Sequence, residues 1–227
     1  MKKILTPDKK IQIINKVKDS KFYGSISNVS TREEAEDFIT KIKNKFSDAT
    51  HNVNAFRIGI GDEAVEYADD DGEPSGSSGP PVLEAIKGEN LTNTVIVITR
   101  YFGGTKLGIG GLIRAYGNTA RIAINKSGKK RLELFYKIKI RGKYDLVGTI
   151  MGQSESYAKD ILDTEYDENG ILVSILINPD FYNDFKNKLI EKTSNKVEIK
   201  NVGHKYLVKT SDWQFLIFVL RWICKVD

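Results

Sequence analysis

The apolar positions of this chain come in short runs broken by polar turns, and the period of each run predicts its element. Residues 11–17 and 22–29 are rich in β-branched and aromatic side chains and read as two strands. Ser30-Thr31-Arg32-Glu33 then reads as a capping box, with Ser30 as the N-cap and Glu33 reaching back. Ala35, Phe38, Ile39, Ile42 and Phe46 follow at helical spacing, which predicts a helix with one apolar face. Residues 54–60 and 64–67 read as two strands around a Gly61-Asp62 turn. A loop by composition covers residues 71–81, and Pro80 or Pro81 suits the first turn of a short helix carrying Val82, Leu83 and Ile86. Thr94-Val95-Ile96-Val97-Ile98-Thr99 is a continuous β-branched run, the signature of a buried strand. A second glycine loop, residues 103–111, opens a helix predicted over 112–125 that ends near Gly128.

Beyond a basic stretch at 127–131, which reads as a linker, the spacing changes. Residues 134–140 predict a strand, 145–157 a helix, 161–166 and 171–177 a hairpin about Asn169-Gly170, 181–189 a helix and 196–201 a strand. That order, βαββαβ, is the order of a ferredoxin-like domain. The expected class is therefore α+β, with an N-terminal domain at 1–128, a ferredoxin-like domain at 132–202 and an extension at 203–227. In the extension Trp213, Leu216, Ile217, Leu220 and Ile223 recur at helical spacing. Phe215, Phe218 and Trp222 fall off that face, so a helix buried nearly all round, or a strand, stays open. The tail is expected to pack on the body or on a second subunit, or to bind a partner.

Composition adds limits. With 227 residues, 40% hydrophobic and 29% charged, the chain can bury a sizeable core. Cys224 is the only cysteine, so no intrachain disulfide is possible and a reducing, cytoplasmic setting is expected. The start turns polar by Asp8, so no secretory leader is expected, and the longest apolar stretch, 213–224, is too short to span a bilayer.

The net charge of +5 is unevenly spread. From Asn90 to Leu132 there are eight basic residues and no acid, and from Ile58 to Ile86 eight acids and no base. A one-sided basic surface gathers polyanions; chance clustering on a solvated surface is the plain alternative.

Chemistry concentrates in the second glycine loop. Gly103, Gly104, Gly108, Gly110 and Gly111 remove side chains from a strand-to-helix junction, so the backbone can approach a ligand closely. Its amides lie near a helix N-terminus, where an anion is favoured, and Lys106, Arg100 and Arg114 add charge suited to phosphate oxygens, with Arg121 further along. No Gly-Lys-Ser/Thr ending is present, so this is not a P-loop. Tight helix-on-strand packing is the other reading of the same glycines. Tyr101, Phe102 and Tyr116 interleave with the basic set and suit either base stacking or a core. In the first loop Asp69, Asp70, Asp71 and Glu73 form either a hydrated turn or a hard-cation site, and Ser75, Ser77 and Ser78 would need His51 as a base to act as nucleophiles. No catalytic set follows from the sequence, no cofactor is implied, and the metal question is open.

Several blocks together resemble the IMPACT/YigZ family: Asp48-Ala49-Thr50-His51-Asn52, Asp71-Gly72-Glu73-Pro74-Ser75-Gly76, and Thr99-Arg100-Tyr101-Phe102-Gly103-Gly104 through Lys106-Leu107-Gly108 and Gly110-Gly111-Leu112 to Arg114-Ala115-Tyr116. The resemblance spans roughly residues 22–125. It implies an N-terminal domain with the left-handed βαβ fold of the second domain of ribosomal protein S5, a fold shared with translation factors and small-molecule kinases. It also implies a link to translation, since eukaryotic members modulate the starvation-responsive kinase of initiation factor two by competing for its activator. It carries no agreed catalytic residues. The chain departs from the family at Gly76-Ser77-Ser78-Gly79 and in its extension from Gly203. The expected function is a regulator of translation that binds RNA, or a ribosome-associated partner, through the glycine loop. The alternatives are an enzyme acting on a phosphorylated small molecule, with a cation on Asp71 and Glu73, and a protein-binding regulator. A homodimer through the extension is also expected as an option.

Overall fold

The computed structural model describes residues 4–61 and 64–209, and the chain divides into two compact units, Met1–Arg131 and Leu132–Asp227. Both carry antiparallel sheets, and the class is mixed α and β as expected.

The first unit contains β1 (Leu5–Pro7), β2 (Ile11–Val17), β3 (Ser20–Asn28), α1 (Arg32–Lys45), β4 (His51–Ile58), β5 (Val65–Asp69), α2 (Gly79–Gly88), β6 (Thr94–Tyr101) and α3 (Ile109–Ser127). Its sheet runs β2-β3-β6-β4-β5 with antiparallel neighbours throughout. The β-branched run of β6 sits at the centre because it is apolar on both sides. Val95 and Val97 join Ala35, Phe38, Ile39 and Ile42 of α1 on one face. Ile96 and Ile98 join Val82 and Ile86 of α2 and Leu112, Tyr116, Ala120 and Ile124 of α3 on the other. Each such buried aliphatic side chain contributes about 1.5–3 kcal/mol, so a polar residue at any of these positions would disfavour a covered central strand.

The predicted cap is displaced by one residue. Thr31, not Ser30, is the N-cap of α1: its hydroxyl accepts from the Glu34 amide at 3.2 Å, and the Glu34 carboxylate accepts from the Ser30 amide at 2.6 Å. Thr31-Arg32-Glu33-Glu34 satisfies the same Ser/Thr-x-x-Glu rule as the expected box, and local sequence does not distinguish the two.

The two units divide at Arg131, at the end of the stretch expected as a linker, but the stretch itself is structured. Ser127 ends α3, Gly128 takes the left-handed conformation (φ 71°), and β7 (Lys129–Gly142) begins at once. Its first three residues pair with β1, and their charge is met locally by Lys129 to Glu89 (2.5 Å) and Lys130 to Asp8 (2.6 Å).

The second unit continues from β7 through a 3-10 turn (Tyr144–Leu146), α4 (Val147–Tyr157), β8 (Asp160–Asp167), β9 (Gly170–Ile177), α5 (Pro179–Lys192) and β10 (Glu198–Val208). Its strand order is β10-β7-β9-β8. Ile138, Ile140, Ile171, Val173 and Ile175 of the sheet pack with Ile150 of α4 and Phe185 and Leu189 of α5. The expected boundary at 202/203 falls inside β10, which passes an irregularity between Asn201 and His204 and pairs with β7 as far as Val208. The helix expected around Trp213 to Ile223 lies outside the described residues. No helix among the described residues is long and apolar enough to cross a membrane.

Candidate functional site

Strand direction gathers the motif blocks. Tyr101 at the end of β6 pairs with Lys21 at the start of β3, and Arg100 pairs with His51 at the start of β4. Asp69, the last residue of β5, pairs with Asn54 nearby on β4. The β2–β3 turn, the segment 46–50, the loop 70–78 and the loop 102–108 therefore leave the sheet at one end, where α2 and α3 begin. His51, Asp71, Glu73 and Ser75 meet the Arg100 to Gly111 block there, while Arg121 stands about 18 Å along α3 from its first turn.

Loop 70–78 is organised by its own acids. The Asp70 carboxylate accepts from the amides of Gly76 (2.7 Å), Ser78 (2.9 Å) and Gly79 (2.8 Å), and from the Ser78 hydroxyl (2.6 Å). Burial opposes its ionisation, but the donations from Ser78, Gly76 and Gly79 prevail and hold the carboxyl below its ordinary range. Asp71 accepts from Lys43 (2.6 Å) and from the Asn52 amide (2.6 Å), and these outweigh the burial that would raise it.

Beneath this loop lies Glu73, its side chain 4% exposed. One of its oxygens accepts from the Arg100 guanidinium at 2.6 Å and from the Tyr116 hydroxyl at 2.7 Å. Arg100 also donates to Ser20 at 3.3 Å and packs over the rings of Phe22 and Phe102. Burial, reinforced by Glu73, pushes the Tyr116 phenol far above its ordinary range. His51 donates Nδ1–H to the Asp71 carbonyl (2.8 Å), and its Nε2 stands 3.9 Å from the second Glu73 oxygen.

One expectation changes at this point, and several open alternatives close. Arg100 was expected on a phosphate, but it is buried and its charge is spent on Glu73. Of the two readings of Tyr116, core and stacking surface, the core one holds, since the residue is wholly buried. Asp71 and Glu73 were the ligands of a possible cation, but each is occupied by a cation of the chain, and no group of three His, Cys, Asp or Glu among the described residues is arranged to hold a metal. Ser75 is exposed, and the partners of His51 are Asp71 and Glu73 rather than a serine, so no serine–histidine pair forms.

The glycine loop behaves otherwise. Gly103 is required by close packing, because a Cβ there would stand 1.9 Å from the Asp19 carbonyl oxygen. Gly108 caps α3 with φ 69°, a conformation that disfavours a side chain. At Gly110 a Cβ would meet only Arg114 Nη1 at 3.5 Å, an ordinary contact, so packing does not demand glycine there. The packing reading of the glycines thus holds at Gly103. The first turn of α3 contains no acid and its cap has no side-chain bond. Lys106, Arg114 and Arg121 are exposed and form no ion pair among the described residues. Tyr101 donates its hydroxyl to Asp48 (2.7 Å), which raises its pKa to about 12, and Phe102 is 44% exposed.

Next to this loop Asp19, Lys21, Tyr23, Asp48, Tyr101 and Phe102 line an open cleft of about 340 Å³. Asp19, Lys21 and Tyr23 were not singled out from the sequence, and Asp48 was marked only as part of a motif block. Asp19 and Asp48 sit in separate turns, and only the sheet register brings them near β6.

Similar proteins place these blocks in one lineage. The family model described as the Impact N-terminal domain matches residues 18–124. The chain is 38% identical over 193 residues to the IMPACT family member YvyE of Bacillus subtilis, covering 85% of this chain and 88% of that protein. It is 30% identical over 132 residues to the IMPACT family member YigZ of Escherichia coli, covering 58% of this chain and 65% of that one. A crystal structure of a hypothetical protein, 23% identical, superposes with a TM-score of 0.72 over 89% of this chain and 98% of its own, which speaks for the fold. With the motif blocks, the matched domain and a relative aligned over nearly its whole length, the chain belongs to the IMPACT/YigZ family.

Proposed function

We propose that this protein is a regulator of translation that binds RNA, free or on the ribosome, with phosphates held at the start of α3. The observation that carries the reading is a contrast between two helix N-termini at the same end of the sheet. That of α2 already holds an anion, the Asp70 carboxylate, on the amides of Ser78 and Gly79. That of α3 has no acid in its first turn and no capping side chain. An external phosphate there would meet free amides and the helix dipole, with Lys106 and Arg114 exposed beside it. Phe102 is the exposed aromatic at the loop's edge and is the base-stacking candidate, since Tyr101 is engaged with Asp48. Arg121 extends the basic track along α3.

The domain identities belong to the same proposal. The first unit corresponds to the ribosomal protein S5 domain 2-like domain that family membership implies. The second is a ferredoxin-like domain, supported by its βαββαβ order and its β10-β7-β9-β8 sheet.

The test is salt-dependent binding of single-stranded RNA. The logarithm of affinity should fall linearly with the logarithm of salt concentration, and Arg114→Ala should lower the slope by about 0.7, one phosphate's worth on a single strand. Different sequences should weaken alike. An unchanged slope removes Arg114 from the interface, and no RNA binding at low salt overturns the reading.

A further inference from the structure

Apart from Phe102, the cleft beside the glycine loop is lined by residues that an RNA reading does not use. Side chains alternate along β3 and β6. Phe22 and Arg100 point to the α2–α3 face, where Phe22 packs edge-on to Tyr116 and Arg100 meets Glu73. Tyr23 and Tyr101 therefore turn to the α1 face, where they contact each other (ring centroids 5.8 Å apart) and Tyr23 contacts Phe46 just past the end of α1. The helix stops there, and the tip of that face is left as the open cleft.

Its walls carry opposed features. Asp19 and Asp48 are exposed and neither is ion-paired among the described residues, although Lys21 lines the same cleft. Each accepts one neutral donor, Asp19 from the Thr105 hydroxyl at 2.6 Å and Asp48 from the Tyr101 hydroxyl at 2.7 Å. Those bonds orient the carboxylates and leave their charge uncompensated, with further acceptor sites on each. The same cleft is lined by the rings of Tyr23, Tyr101 and Phe102, and aromatic faces attract cations. The chain already uses this chemistry internally, since Arg100 lies 5.6 Å and 5.4 Å over the rings of Phe22 and Phe102. Two free carboxylates repel a phosphate and attract a cation. At about 340 Å³ the space admits one long side chain and little more.

We propose that this cleft receives an arginine side chain of a partner protein, its guanidinium lying against the aromatic rings and paired with Asp19 and Asp48. Arginine is the occupant because its planar fork both stacks on rings and bonds carboxylates in pairs, which a lysine ammonium does not. Lys21 can donate to a backbone carbonyl of the incoming segment. The inference goes beyond RNA binding and stands without it: the arginine site is on the α1 face, and the phosphate site at the start of α3. A ribonucleoprotein surface would present both groups together.

The test is an amide NMR titration of the full-length protein with Nα-acetyl-arginine methylamide, with the neutral citrulline analogue as control. Saturable shifts are expected at residues 19–23, 48 and 101–102 with the arginine probe and not with citrulline. Asp19→Asn with Asp48→Asn keeps an acceptor for both hydroxyls, so the variant should melt like the parent while binding the probe at least tenfold more weakly. Its response to inorganic phosphate at residues 108–111 should be unchanged, so this proposal and the phosphate reading can fail separately. Equal shifts from citrulline, or undiminished binding in a folded double variant, overturn the proposal. So do phosphate-induced shifts centred on the cleft. If the variant does not fold, the citrulline comparison on the parent still decides.

Discussion

Replacing Glu73 with Ala should be among the most damaging single changes in the first unit, and the damage should come from what is left behind. Its carboxylate is the acceptor of both the Arg100 guanidinium and the Tyr116 hydroxyl. Arg100 is 5% exposed and Tyr116 is 0% exposed, so neither can turn to water. Removing the acid leaves a buried charge without its counter-ion and a buried hydroxyl without its acceptor. Breaking one side of a buried pair costs about 3–5 kcal/mol, whereas the intact pair adds little over an apolar filling of the same shape. For a unit of this size that loss lowers the melting temperature by on the order of 10 °C. Urea denaturation and calorimetry read the effect directly. Converting Arg100 to Met as well should recover much of the loss, because the stranded charge is then gone, and a double-mutant cycle should show that coupling. A Glu73→Ala protein within about 1 kcal/mol of the parent would refute the reasoning, since the charge would then have found water.

Two further outcomes follow from the same end of the sheet. Gly103→Ala places a Cβ 1.9 Å from the Asp19 carbonyl oxygen, so the turn or the loop must move; a loss of about 3 kcal/mol or more is expected in urea, and an unperturbed protein would mean the contact yields freely. Asp70 and Asp71 both have carboxyl pKa values depressed in the folded protein, so their contribution is complete above the unfolded value of about 4 and is lost as the pH falls through the folded values. The melting temperature should therefore drop more for the parent than for Asp70→Asn between about pH 4 and pH 2, and parallel curves would show that Asp70 adds nothing to acid sensitivity.

Much of the architecture was legible from residue order because the elements obey local rules. The run at β6, the amphipathic spacing of α1, the prolines opening α2 and the Asn169-Gly170 hairpin each identify an element without reference to a partner. Other points needed the contacts the chain actually makes, near or distant. Two overlapping capping boxes at Ser30 and Thr31 are equivalent locally, and the bonding of Glu34 to the Ser30 amide separates them. The basic run at 127–131 has the composition of a linker, and it is a strand start because β1, Glu89 and Asp8 are there to meet it. Arg100 has the charge of a phosphate ligand, yet strand pairing sets it beside His51 and over Glu73, where a buried carboxylate claims it. Asp19, Lys21 and Tyr23 had no motif to mark them. Sequence by itself determined which segments form strands and helices, because period, capping and glycine content act over a few residues. Only the tertiary structure decided which charges are spent internally and which remain for a partner, because that depends on burial and on contacts between residues 27 to 86 positions apart.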